Sequence, residues 1–231
     1  RHFGVPFIPI MGGRGCWGSC SYCAITSTLR DARSHGGAKM LRHRSPENVA
    51  REMYDLCHRA GGRALFCFHD DNFLLPRPKD SSARVRAIRE AFDALGGGDV
   101  ALIGKCRPDS VTPELMKELR RLGVLRLYVG VENASQRGAD HLGRKTQQAY
   151  ADAALRACRD AGIFVCYNLL LFEPDATLDD VRENIAFMRK NAQHPVNFCR
   201  AEPYVGTPLH RDVAARQTLG GSYLGFNYRI E

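Results

Sequence analysis

Val5-Pro6-Phe7-Ile8-Pro9-Ile10-Met11-Gly12-Gly13-Arg14-Gly15-Cys16-Trp17-Gly18-Ser19-Cys20-Ser21-Tyr22-Cys23 joins an apolar run to a loop rich in glycine and cysteine. Residues 5–11 are apolar over a length that suits a buried strand. Ser45 and Pro46 then open a helix whose apolar positions Val49, Met53, Leu56 and Cys57 share one face, and Gly61 with Gly62 stops it. That strand, loop and helix form a unit that recurs along the chain.

Residues 64–68 are the second strand, followed by a helix around Val85, Ile88, Phe92 and Leu95 that ends at Gly96, Gly97 and Gly98. Residues 100–104 are the third strand, and Thr112 with Pro113 caps a helix carrying Leu115, Leu119 and Leu122 up to Gly123. Leu125, Leu127, Val129 and Val131 mark the fourth. A helix over 147–161 ends at Gly162, residues 163–172 are the fifth strand, and Thr177 with Asp180 resembles a capping box for a helix through Met188. Residues 196–201 are the sixth strand. Connections of this length suit β-α-β crossovers rather than hairpins, so the chain is α/β with a mostly parallel sheet and right-handed crossovers. Six units fall short of the eight in a closed barrel. Periodicity leaves an open barrel and a doubly wound sheet both standing, and in either the ligands belong at the C-terminal ends of the strands.

The chain has 231 residues, 44% hydrophobic and 25% charged, which is ordinary globular usage and excludes disordered and low-complexity classes. Its most apolar stretch, residues 163–172, is too short to span a membrane and is interrupted by Asn168. The net charge of +8 is dispersed among acidic residues, so a solvated surface is expected and a nucleic-acid partner is unsupported. Nine cysteines are an odd number lying mostly in apolar runs, which points to a reducing cytoplasm rather than a secreted disulfide framework. No signal-peptide pattern is present, and the chain is expected to be a fragment whose N-terminal region is missing.

Cys16, Cys20 and Cys23 bring three thiols together at C-x3-C-x2-C, directly after the first strand. Soft ligands at short spacing suit zinc or an iron–sulfur cluster. A closed zinc site needs a fourth ligand, for which His35 is a candidate, whereas a [4Fe–4S] cube on three cysteines leaves one iron open. An electron-transfer protein is expected to saturate its cluster with four cysteines.

This loop, at this place in a run of β-α units, resembles the radical S-adenosylmethionine (radical SAM) superfamily over nearly the whole chain. The resemblance implies a partial (β/α)6 TIM-like open barrel with a mostly parallel sheet. It implies that Cys16, Cys20 and Cys23 ligate a [4Fe–4S] cluster whose fourth iron is chelated by S-adenosyl-L-methionine. Reductive cleavage then gives methionine and a 5′-deoxyadenosyl radical that abstracts hydrogen from a substrate. Tyr22 resembles the residue near the SAM adenine. Asp70, Asp71 and Asn72, ending the second strand in Phe68-His69-Asp70-Asp71-Asn72-Phe73, are candidates to accept from the SAM ammonium, although many members carry Gly-Gly-Glu there. Gly130-Val131-Glu132-Asn133 resembles the segment whose carboxylate holds the ribose, which assigns Glu132, with Asn133 in place of the usual serine. Ser135-Gln136-Arg137 and Arg144-Lys145-Thr146 resemble the segments that follow, and Arg144 is placed toward the SAM carboxylate.

Asn168 is polar in an apolar strand; a buried amide without partners costs roughly 1–3 kcal/mol, so a bond to the backbone or to the cofactor is expected. Glu202-Pro203-Tyr204-Val205-Gly206-Thr207-Pro208 is similar to the family's turn after strand six. Lys105 and Arg107 end the third strand and suit SAM or an anionic substrate. The other six cysteines, Cys57, Cys67, Cys106, Cys158, Cys166 and Cys199, are expected in the core.

Arg44-Ser45-Pro46-Glu47-Asn48-Val49 leading to the Asp70 segment resembles branches with an N-terminal cobalamin-binding domain. Residues 1–231 are accordingly expected to be one radical SAM core domain lacking that domain and a C-terminal extension. Two activities follow from the resemblance: cobalamin-assisted methyl transfer or rearrangement on a small molecule, and tRNA modification of the methylthiotransferase kind. A one-electron reductant such as flavodoxin or ferredoxin is the implied protein partner. No acid, base or hydrogen donor is identifiable from the residues.

Overall fold

The structure is a computed structural model that describes residues 4–37, 39–222 and 225–228. In chain order the elements are β1 (Phe7–Ile10), β2 (Gly13–Gly15), α1 (Ala24–Ser34), β3 (Leu41–His43), α2 (Pro46–Arg59), β4 (Arg63–Phe68), α3 (Pro78–Ala94), β5 (Asp99–Cys106) and α4 (Pro113–Leu122). They continue with β6 (Val124–Glu132), α5 (Gln136–His141), α6 (Ala149–Asp160), β7 (Phe164–Phe172), α7 (Leu178–Lys190), β8 (Val196–Arg200), α8 (Pro208–Ala215), β9 (Leu219–Ser222) and β10 (Gly225–Tyr228). A 3-10 turn, Pro108–Ser110, precedes α4.

Six strands form one sheet in the order β1-β4-β5-β6-β7-β8. The pairs β1–β4, β4–β5, β5–β6 and β7–β8 are parallel. Strand order follows chain order with no reversal, so each crossover steps the same way; this is the winding of a partial (β/α)6 barrel, and a doubly wound sheet would reverse. Two short two-stranded sheets, β2–β3 and β9–β10, complete the strands.

Local chemistry accounts for the boundaries. Ser45 Oγ accepts from Asn48 N and Thr112 Oγ1 from Leu115 N, each with proline in the first turn. Gly123 closes α4 at φ 103°, where a Cβ would be strained. Thr177 and Asp180 form the full capping box of α7.

The chain divides into two compact units. The first comprises the described residues of Arg1–Arg14, Arg42–Gly130 and Asp152–Cys166; the second comprises those of Gly15–Leu41, Val131–Ala151 and Tyr167–Glu231. In the first, alternate strand residues Phe66, Phe68, Leu102 and Leu127 are fully buried, together with Met53, Ile88, Phe92, Leu115 and Leu119 from α2, α3 and α4. In the second, Leu142, Leu170, Ala201, Leu209 and Val213 make a core against which Tyr22, Leu219 and Tyr228 pack.

Leu125 lies in the expected strand but is exposed, because the β5–β6 register shifts at Leu102/Ile103 and pairs Leu102 with Val124 and Ile103 with Arg126, leaving Leu125 as the extra residue of a bulge. One expectation is corrected. Of the six cysteines expected in the core, Cys57, Cys106, Cys158 and Cys166 are buried, but Cys67 is half-buried and Cys199, on the edge strand β8, is exposed. Among the described residues no helix is long and apolar enough to cross a membrane.

Candidate functional site

The cysteine loop belongs to the second unit and is anchored at both ends. Gly15 turns into it at φ 99°, and a Cβ there would lie 2.0 Å from Met40 O, so only glycine fits before Cys16. Gly18 N donates to Cys16 Sγ at 3.3 Å, and Cys23 N to Cys20 O at 3.3 Å just before α1 begins. Ser21 N donates to Leu142 O at 2.9 Å and Ser21 O accepts from Leu209 N at 3.0 Å, which fixes the loop to the ends of α5 and α8. All nine cysteines are thiols, with Cys20 buried and Cys16 and Cys23 half-buried.

Arg144 gives this loop its electrostatics. It is 4% exposed; its Nη1 lies 3.5 Å from Cys20 Sγ and 3.4 Å from the Tyr22 hydroxyl. Burial works against its charge, but Tyr22, Glu132 and Cys20 outweigh burial and hold the guanidinium more firmly protonated than usual. Burial, Glu132 and Cys20 push the Tyr22 hydroxyl well up, so it stays a neutral phenol. Glu132 ends β6 at φ 68°, a left-handed conformation that costs a non-glycine residue on the order of 1–3 kcal/mol and tends to mark functional positions. The strand end thus presents a half-buried carboxylate beside a buried cation and a thiol.

Asn133, where a serine was expected, holds the turn that carries Glu132. Its Oδ1 accepts from Ser135 N at 3.0 Å and Asn184 Nδ2 at 2.9 Å, and its Nδ2 donates to Leu170 O at 3.3 Å. Ser135 then caps α5 through Gly138 N, and Arg137 pairs with Asp180. Asn168 is half-buried beside Asn197 in the β7–β8 register, so the fully buried amide assumed from the sequence is not found.

The Asp70 segment belongs to the first unit. Asp70 is 2% exposed, its Oδ1 accepts from Gly12 N at 2.7 Å, and burial raises its pKa to about 6. Asn72 Oδ1 accepts from Leu74 N at 3.3 Å, while its Nδ2 is buried with no partner, which leaves an open donor beside the remaining lone pair of Oδ1. Asp71 is half-buried. Sequence reasoning missed the arginines that hold the segment before the cysteine loop. Arg84 donates to Gly12 O at 2.9 Å and Arg44 O at 2.7 Å, and Arg44 donates to Met11 O at 2.7 Å. Arg84 binds main-chain carbonyls distant in sequence, which no local pattern flags, while Arg44 joins its distant carbonyl to the nearby Asn48 and Glu52 side chains.

The residues fit an iron–sulfur cluster better than a single zinc. A tetrahedral zinc holds sulfurs about 2.3 Å from the metal, hence about 3.8 Å from one another. Among the described residues, the set of three or more metal-binding side chains with ligand atoms within 4.8 Å of one another is His141, Glu173 and Asp175, and the three cysteines are not such a set. A cluster spreads its external thiolates around several irons, and the buried Arg144 suits an anionic thiolate set.

Comparison with known proteins gives the family. The chain is 26% identical over 216 residues to the uncharacterized methyltransferase PH0819 of Pyrococcus horikoshii, covering 94% of this chain and 44% of that protein. It is 28% identical over 162 residues to the anaerobic magnesium-protoporphyrin IX monomethyl ester cyclase of Synechocystis, covering 69% of this chain and 29% of the cyclase. Among solved structures, the radical S-adenosylmethionine methyltransferase TsrM from Kitasatospora setae superposes with a TM-score of 0.74 at 21% identity, over 91% of this chain and 39% of TsrM. The chain therefore spans less than half the length of these proteins, and the curated ones carry enzyme names. The sequence profile of the Radical SAM superfamily matches residues 10–188, a span containing the three-cysteine loop, Glu132 and Arg144. With the strand order and the cysteine loop in agreement with that match, the chain belongs to the radical SAM superfamily.

Proposed function

We propose that this chain is the core of a radical SAM enzyme acting on a small molecule, in which Cys16, Cys20 and Cys23 ligate a [4Fe–4S] cluster with one open iron. The observation that carries the reading is the buried Arg144 set against Cys20, Tyr22 and Glu132 in a loop that the family profile spans. Cluster and SAM, when bound, supply one-electron cleavage of the sulfonium C–S bond to methionine and a 5′-deoxyadenosyl radical.

The chain's residues have definable tasks. Arg144 offsets the negative charge of the thiolates from a site where water does not screen it. Glu132, held out at the strand end by its backbone conformation, accepts from the ribose hydroxyls, and the neutral Tyr22 phenol packs against the apolar core and donates. Asp70 is assigned to the SAM ammonium through its second oxygen, the first being held by Gly12 N. Asn72 donates from its open amide, a group suited to the SAM carboxylate. Asp71 and Asn168 are proposed as lesser contacts.

Cobalamin-assisted methyl transfer is favoured over other outcomes by the methyltransferase names of relatives and by the likeness to cobalamin-dependent radical enzymes such as OxsB, which superposes with a TM-score of 0.72. In this reading residues 1–231 are the radical SAM domain and cobalamin is held by other parts of a longer protein. The reductant is a small flavin or iron–sulfur protein in the cytoplasm. The test is SAM cleavage by the anaerobically reconstituted protein with dithionite, read as 5′-deoxyadenosine. Cys20→Ala is expected to abolish iron binding and cleavage with the far-ultraviolet circular dichroism kept. Cleavage retained at normal iron content would overturn the assignment.

A further inference from the structure

In the first unit one sheet face carries, beside the paired Arg63 and Asp99, two cations with no carboxylate partner among the described residues. Register sets Cys67 beside Ile103, Ile103 beside Arg126 and Lys105 beside Tyr128, so these side chains share a face, while Phe66, Phe68, Leu102, Leu127 and Val129 fill the opposite, buried one. Phe7, in register with Leu65, joins the first face and is 45% exposed.

Arg126 is the unusual member. It interrupts an otherwise apolar strand, and its guanidinium carbon lies 4.5 Å from the Tyr128 ring centroid and 5.5 Å from that of Phe164. Nη2 donates to Cys166 Sγ at 2.7 Å, whereas Nε is buried with no hydrogen-bond partner. Lys105, two residues along from Ile103, is exposed, and the half-buried Cys67 thiol feels both cations. Among the described residues neither Lys105 nor Arg126 makes an ion pair. A buried or half-buried cation is ordinarily paired with a carboxylate; here, among the described residues, the one acid on the face is taken by Arg63 and neither Arg126 nor Lys105 has a counter-charge.

We propose that this face binds the substrate and that the substrate is an anion, its carboxylate or phosphate held by Arg126 and Lys105 and its apolar body laid against Tyr128, Phe164 and Phe7. The inference rests on the radical SAM reading and names the substrate class of that site. Planar guanidinium donors suit a carboxylate or phosphate fork, and the aromatic shelf fixes the plane of Arg126 in advance of binding.

The test uses the whole chain, reconstituted with iron and sulfide and saturated with SAM. Titration calorimetry compares phenyl phosphate and benzoate with uncharged benzyl alcohol. Each anion is expected to bind at least about tenfold tighter than the alcohol, with the preference falling as salt rises, and the stronger of the two anions identifies the headgroup. Arg126→Gln and Lys105→Gln should each weaken that anion about tenfold, while Arg189→Gln, on an exposed helix position, should not. Equal binding of anions and alcohol, or equal losses in all three variants, would overturn the proposal; the latter would mark adventitious surface attraction. Should Arg126→Gln fail to fold, Lys105→Gln on its exposed side chain decides alone. The SAM-dependent change in the reduced cluster's paramagnetic signal is recorded on the same samples. Its absence in the unsubstituted protein defeats the radical SAM reading; its presence without anion preference defeats only the present one.

Discussion

Replacing Arg144 by methionine keeps the bulk of the side chain and removes a charge that is 4% exposed and set against Cys20, Tyr22 and Glu132. Breaking a buried charge set by deleting one partner costs about 3–5 kcal/mol, most of it from leaving the other charge uncompensated. Glu132 is only half-buried, so solvent takes up part of that penalty and the lower end, about 3 kcal/mol, is expected. With an m-value of about 3 kcal/mol/M, the urea midpoint of the cluster-free protein should fall by about 1 M. Glu132→Gln alone should cost less, because the remaining cation keeps the Tyr22 hydroxyl and the Cys20 thiol as partners. Once Arg144 is gone, Glu132→Gln should be neutral or stabilising, since it then removes a stranded anion. The double-mutant cycle should therefore return a coupling of at least about 1.5 kcal/mol. Additivity within about 0.5 kcal/mol would show that Arg144 is held by packing alone and would refute the electrostatic account of the loop.

Other outcomes follow from the same geometry. Asp70 has a folded pKa of about 6 against an ordinary value near 4, so the folded state binds its proton more tightly. Stability should rise as pH falls from about 7 to 4, by on the order of 2–3 kcal/mol relative to Asp70→Asn; a carboxyl resonance titrating below pH 4 would contradict this. Gly138→Ala would stabilise an ordinary helix by roughly 0.5–1 kcal/mol, but a Cβ there lies 2.4 Å from Asn133 Nδ2, so a loss of about 1–3 kcal/mol in urea unfolding is expected. Thr177→Ala removes the hydroxyl that caps α7 and also donates to Asp180, and should lower stability by about 1–2 kcal/mol in the same assay.

What could be read from the residues depended on how local the signal was. Thr112-Pro113 with Gly123, and Thr177 with Asp180, specify helix ends through groups three residues apart, and all were legible. Most of the six main strands were legible from runs of apolar, largely branched or aromatic residues, and β8, Val196-Asn197-Phe198-Cys199-Arg200, from its place after a helix; β2 and β3, with three residues each, are too short to show a period. The bulge that exposes Leu125 follows from pairing with β5, which a single strand does not encode. In the site, the cysteine spacing and Glu132 stood out. The left-handed backbone of Glu132, the capture of Asp70 by Gly12 N and the stranded Asn72 amide did not, since each depends on where distant segments meet. Arg126 had a visible sign, a cation inside an apolar strand, whose meaning needed the aromatic rings around it.

The most direct measurement of the central claim is electron paramagnetic resonance of the reduced protein after anaerobic reconstitution with iron and sulfide, recorded with and without SAM. A [4Fe–4S]+ signal that changes on addition of SAM is expected, because three cysteines leave one iron open to the cofactor. One tightly held zinc per chain and no such signal would contradict the account.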